Sequence, residues 1–177
     1  MATSNASFNS FEEIFLGYLA NGGTQGYTAV DPLPGMTVNP VYPGAYIRLC
    51  KTDPRSSIVY PNAFCDAAGV NSSFEPSSAE WDTYNYVVKN RYPTQWEVYE
   101  ITSGQWAMRN LHDIAYVAPT GGTGCTLRYA LWCLPSIDAA LHYGILVAEL
   151  DAPIVIPSGG GGSAPTILTN TLIFEAR

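Results

Sequence analysis

The sequence predicts an all-β chain: an antiparallel β-sandwich or jelly-roll-like domain with one short N-terminal helix and an extended N-terminal arm. Three observations predict it. Segments rich in Val, Ile, Tyr, Trp and Thr recur from residue 45 onward, bounded by Gly, Pro, Asn or Asp. Several of them alternate apolar and polar side chains with a period of two. Helical periodicity is confined to one stretch near the N-terminus. Eight such segments at this spacing point to a sandwich and away from βαβ units. A chain of 177 residues is long enough for one domain that buries roughly 70% of its unfolded surface.

The helix comes first. Ser10 can cap it, and Glu13 completes a capping box. Phe8, Phe11, Ile14, Phe15, Tyr18 and Leu19 form an apolar stripe, and Asn21-Gly22-Gly23 ends it. About ten residues are too few for a helix to stand alone. It must dock on its own domain or on a neighbouring subunit, and Phe11, Ile14, Phe15, Tyr18 and Leu19 are the expected assembly contact. Residues 24–44, with Pro32, Pro34, Pro40 and Pro43, read as an extended arm able to lie along a neighbour. The expected division is therefore 1–44, helix and arm, and 45–177, sandwich.

The expected strands are 45–51, 84–90, 96–101, 111–118, 125–134, 140–150, 152–157 and 166–175. Cys125, Leu127, Tyr129, Leu131 and Cys133 should share one face, with Thr126 and Arg128 on the other; Leu141, Tyr143, Ile145 and Val147 repeat the pattern. Residues 66–80 read as a long loop. Ser158 to Ser163, which enclose four glycines, read as a native flexible loop tip.

The four cysteines, Cys50, Cys65, Cys125 and Cys133, show no CxxC spacing. Cys125 and Cys133 lie eight residues apart on one strand, roughly 26 Å, too far for a bond that needs Cα atoms within ~7 Å. Cys50 with Cys65 is sterically open across a loop. Buried thiols are the plainer reading, and disulfides formed after release from the cell the sharper one.

Composition bears on function. Eight basic and fifteen acidic residues make only 13% of the chain charged, with a net charge of −7; an ordinary soluble domain has about 25%. Just two residues, Lys51 and Lys89, are lysines, beside twelve tyrosines and four tryptophans. Protein interfaces are poor in Lys and Glu and rich in Tyr and Trp, so the chain reads as part of an assembly. The alternative is a monomeric β domain with a Tyr/Ser/Thr surface. The arginines are scattered singly and the net charge is negative, which argues against nucleic acid. No apolar run reaches the ~18 residues of a membrane helix. The first residues lack a basic, then apolar, signal pattern, so folding in a cytoplasm is expected.

Chemistry is sparse. His112 has Asp113 beside it, but strand neighbours point to opposite faces, and His142 reads as an outer-face residue. Glu97 and Glu100 diverge on a strand, and Glu149 and Asp151 lie at a strand end, so neither pair reads as a glycosidase couple. Asp66, Glu80 and Asp82 could meet at a cation, though no spacing demands it. No catalytic residue, cofactor or metal is expected. The aromatic run from Trp81 to Trp106 is read first as core and subunit-contact rings. The alternative is a glycan-binding platform of Trp81, Trp96 and Trp106.

A family pattern accompanies these features. The short helix with its glycine exit, Phe11 to Gly23, is followed by a strand closing on Thr52-Asp53-Pro54. Tyr84 to Val88 and Asn90 to Trp96 come next, then an Asn-initiated strand, Asn110 to Tyr116. The glycine-flanked pair Gly124 to Cys133 and Leu141 to Leu146, Pro153 to Ile156, and a last strand Thr166 to Phe174 complete it. This order resembles small phage virion proteins of the tail-fibre or head-decoration type over most of residues 8–176. The arm at 24–44 is longer than the family pattern, and Pro135-Ser136-Ile137-Asp138 replaces its usual Asp-x-x-x-Gly-Gly turn. The resemblance implies a non-enzymatic β-sandwich, often oligomeric, made in the host cytoplasm and carried on the virion. Its expected partners are the major capsid protein or other virion proteins. The first expectation is a capsid decoration (cement) protein; the second is a tail, collar or fibre component that binds a host glycan.

Overall fold

The computed structural model describes Leu16 and residues 46–54, 65–66, 74–85, 87–88, 96–103, 105–135 and 141–175. Ten strands lie among them, every paired couple antiparallel: β1 (Tyr46–Cys50), β2 (Cys65–Asp66), β3 (Val87–Val88), β4 (Trp96–Thr102), β5 (Gln105–Asn110), β6 (Ile114–Ala115), β7 (Cys125–Pro135), β8 (Leu141–Ile156), β9 (Thr166–Ile167) and β10 (Ile173–Glu175). They form a five-stranded sheet in the order β2-β8-β7-β1-β3, a three-stranded sheet β10-β5-β4, and a ribbon β6-β9. The main core lies between the two larger sheets. Ile47, Leu49, Leu127, Ala130 and Trp132 meet Trp96, Met108 and Phe174 there. This is the expected all-β sandwich.

The β7–β8 pair is the backbone of the larger sheet, and its irregularities decide which side chains face inward. Between Leu127↔Ile154 and Tyr129↔Glu149 the register slips. Only Arg128 intervenes on β7, while Leu150 to Pro153 intervene on β8. A proline cannot donate to a ladder, so a bulge is where it fits. The slip reverses the phase of β7. Leu127 enters the main core with Ala130 and Trp132, whereas Leu131 and Cys133, joined by Tyr129, pack in a second cluster on the opposite face with Cys50 and Phe74. The single face expected from Cys125 through Cys133 is thus two faces joined by a bulge. For the same reason the expected strands 140–150 and 152–157 are one strand, bent where they had been divided.

Other expectations move as well. Residues 105–110 form β5, at the centre of the smaller sheet between β4 and β10. The segment 166–175 is two short strands joined by a turn, in which Asn170 has φ 62°. Asn110, buried, ties that turn down: its side-chain amide donates to Leu168 O at 2.8 Å, and its carbonyl oxygen accepts from Leu172 N at 2.9 Å. The glycine tip is ordered by its neighbours, against the expected flexibility. Gly159 N donates to Gly122 O at 2.8 Å and Gly161 N to Pro119 O at 3.2 Å. The predicted helix and arm lie outside the described residues, apart from Leu16. Leu16 has helical backbone and is wholly buried in the main core. Leu16, from the expected N-terminal part, thus shares one core cluster with the strands.

Candidate functional site

One pair of the scarce charges, Arg48 and Glu75, is wholly buried. Arg48 alternates with Ile47 and Leu49 on β1, so it points to the second face of the sheet. There it meets Glu75 in a two-pronged ion pair, Nε to Oε1 at 2.7 Å and Nη2 to Oε2 at 2.6 Å, with both side chains wholly buried. The Tyr84 hydroxyl donates to Glu75 Oε1 at 3.1 Å and accepts from Leu49 N at 3.0 Å. It thereby takes the place of a ladder partner on β1 beyond the last pair with β3, Tyr46↔Val88 and Ile47↔Val87. Burial, and then the Glu75 charge, pushes the Tyr84 phenol well above its ordinary pKa. Burial does the same to Tyr116, whose hydroxyl donates to Ile47 O at 2.9 Å.

Residues 74–85 make these contacts as a strap across the sheet. Within it, Glu80 folds back on Ser77: Ser77 N and Oγ donate to Glu80 Oε2 at 2.8 and 2.9 Å, and Glu80 N donates to the Ser77 backbone carbonyl at 3.0 Å. Lys51 Nζ reaches both Glu80 oxygens, at 2.9 and 2.7 Å. The Lys51 hydrogen bond, then that of Ser77 N, holds the Glu80 carboxyl below its usual range. Asp82 accepts from Thr120 N at 3.0 Å and from the Thr120 hydroxyl, which lowers its pKa too. The sequence signal for this strap was the Ser-x-x-Glu spacing followed by Trp81, inside a stretch that otherwise reads as loop.

On the smaller sheet Arg109 donates to Glu97 at 2.7 Å across the β4–β5 pair and lies 4.7 Å from the centre of the Tyr99 ring. Of the four cations whose side chains are described, Arg48, Lys51 and Arg109 are each tied to a glutamate. Arg128 is exposed on β7.

Apolar groups stand where charge is missing. The register Ala115↔Thr166 places Ala115, Val117, Ala164 and Leu168 along the outer side of the β6–β9 ribbon. Val117 is 54% and Leu168 59% exposed, and Val155 on β8 is 68% exposed. Asp113 is the acidic group on that side, and Thr169 binds it through N at 2.7 Å and Oγ1 at 2.8 Å, holding it in the charged form.

The residues singled out in the sequence fall as follows. Phe11, Ile14, Phe15, Tyr18 and Leu19 lie outside the described residues. Trp81 and Trp96 are core side chains, Trp96 edge-on to Trp132 with centroids 4.3 Å apart. Trp106 is half-buried and packs on the same cluster. The three rings therefore make no exposed platform, because stacking on a sugar needs an open ring face. Cys50, Cys125 and Cys133 carry thiols. Cys65 on β2 is three strand positions from β1, with β8 and β7 between. That is at least ~14 Å at the usual strand spacing, so Cys50 and Cys65 do not pair in this fold.

Asp113 is engaged by Thr169, leaving His112 without an orienting carboxylate from its neighbour, and Glu97 is engaged by Arg109. Among the described residues no group of three or more His, Cys, Asp or Glu could hold a metal ion. None of their helices is long and apolar enough to cross a membrane. No protein-family model matches the chain, and no curated protein matches it.

Proposed function

We propose that this chain is a non-enzymatic structural protein of a bacteriophage virion, a capsid decoration (cement) protein that binds neighbouring coat subunits and acts as an oligomer. One observation carries the reading: a chain with 13% charged residues directs three of its four described cations into ion pairs with its own glutamates and leaves Val117, Leu168 and Val155 in solvent. Such a surface gains by being covered. The mechanism is linkage: a protein that binds the assembled shell and not its separated subunits stabilises the shell by mass action.

The N-terminal stripe is the proposed contact. It comprises Phe11, Ile14, Phe15, Tyr18 and Leu19, the apolar stripe of the sequence.

Quantitative mass spectrometry of purified particles tests this. A copy number matching the coat lattice supports a cement protein. A few copies per particle replace it with a tail, collar or fibre component. Absence from particles ends the virion reading.

A further inference from the structure

The strap, residues 74–85, is held to the sandwich in its own way. None of its residues belongs to a strand. Three carboxylates fasten its side chains: Glu75 to Arg48, Glu80 to Lys51, and Asp82 to Thr120. The sheets do not need it for their ladders. β1 is paired to β7 from Tyr46↔Cys133 to Cys50↔Tyr129, and β5 lies between β4 and β10. What the strap covers is the edge of β1 beyond β3. There Lys51 N donates to Phe74 O at 2.6 Å and Leu49 N to the Tyr84 hydroxyl at 3.0 Å. The 119–124 loop clasps the strap as well, with Thr123 N donating to Ala79 O at 2.8 Å and Gly124 N to Glu80 O at 3.0 Å.

We propose that the strap is an acid-sensitive latch: it detaches from β1 and the 119–124 loop as one unit while the sheets stay paired, and it does so more often as Glu80 and Asp82 take up protons. The groups around these carboxylates fix the direction. Glu80 is met by Lys51 Nζ from the end of β1 and by Ser77 within the strap. Its charge also reaches the Cys125 thiol on β7, which burial first and Glu80 next push up to about 11, so that this thiol stays neutral in acid. Asp82 is met by uncharged donors, the Thr120 hydroxyl and the backbone of Gly121, Thr120 and Thr83. Glu75, the third carboxylate, faces Arg48, Tyr84 and Tyr116 in the buried cluster beneath. In the closed strap Glu80 and Asp82 both lie below the ordinary carboxylate range; an open strap returns them to water. The closed form is therefore supported above that range, and the support is lost as pH falls through the lowered, closed-state values. Burial of Phe74 and Trp81 keeps the open form a minor species at neutral pH. Opening bares the edge of β1, and a bare edge is a template for strand pairing.

Amide hydrogen exchange of the full chain, read by NMR at pH 7, 5.5 and 4 and corrected for the intrinsic rate, is the test. The amides of Leu49, Lys51, Thr123 and Gly124 report on the strap, and those of Ala107, Met108 and Arg109 on the sheet. Protection of the strap reporters should fall with pH while the sheet reporters hold. If the two sets fall in step, or if neither falls, the proposal is overturned. Variants supply the second reading. At pH 7 Glu80→Gln should lower strap protection about 2- to 5-fold, the worth of a surface ion pair. Glu80→Gln combined with Asp82→Asn should also flatten the pH dependence, and a double variant that keeps the original profile overturns the latch. Absence of the chain from particles would remove the virion reading and leave the latch untouched.

Discussion

At the scale of residues, the buried Arg48–Glu75 pair is the strongest single commitment in the fold. Two charges taken out of water are tolerated only because each satisfies the other and Tyr84 adds a further bond. Removing one partner leaves an uncompensated buried charge. Arg48→Met should therefore cost about 3–5 kcal/mol in urea unfolding, while Arg48→Met with Glu75→Leu should recover most of it. Asp113 gives a pH-dependent case. Its pKa is lowered in the fold by Thr169, so its stabilisation is present above the unfolded carboxylate value and lost as pH falls through the folded one. Melting temperatures of the unaltered chain and Asp113→Asn should differ at pH 6 and converge toward pH 2.5; a constant gap would refute the linkage.

At the scale of elements, the glycine tip shows how one composition serves two purposes. Gly159 and Gly160 both have left-handed backbone, φ 83° and 75°. A Cβ at Gly159 meets nothing, whereas one at Gly160 runs into the Thr120 carbonyl. Gly159→Ala should therefore cost about 1 kcal/mol, the left-handed strain alone. Gly160→Ala should cost about 2–3 kcal/mol because the 119–124 loop must also move. Chemical denaturation of the two variants checks the order, and equal losses would show that the loops do not touch in solution. β5 carries the opposite lesson. Apart from Trp106, its residues (Gln, Ala, Met, Arg and Asn) are not strong strand formers, and the local pattern marks residues 105–110 only weakly as a strand. Pairing to β4 on one side and β10 on the other makes them one.

At the scale of the whole molecule, Leu16 and the proposed contact stripe should respond differently to substitution. Leu16→Ala empties a core site and should cost about 2–5 kcal/mol in thermal or urea unfolding. Phe15→Ser alters the proposed contact stripe; it should change stability by no more than about 0.5 kcal/mol, yet abolish retention on particles. If Phe15→Ser destabilises as much as Leu16→Ala, the stripe belongs to the chain's own core and the proposed contact is wrong. Deletion of residues 1–44 would not separate these effects, because it removes Leu16 together with the stripe.

The sequence by itself determined the all-β class, the strand positions of β1, β4 and β7, the separation of Cys125 from Cys133, and the shortage of charge. Each of these is local or additive: alternation, spacing and composition are properties of short windows. Tertiary structure alone decided that β7 changes face at Arg128, that β8 is one strand, and that Glu75 answers Arg48 from 27 positions away. A bulge displaces the phase of every residue beyond it, and a buried ion pair joins distant segments. Neither leaves a periodic mark in the chain, because each arises only when one strand is laid against another.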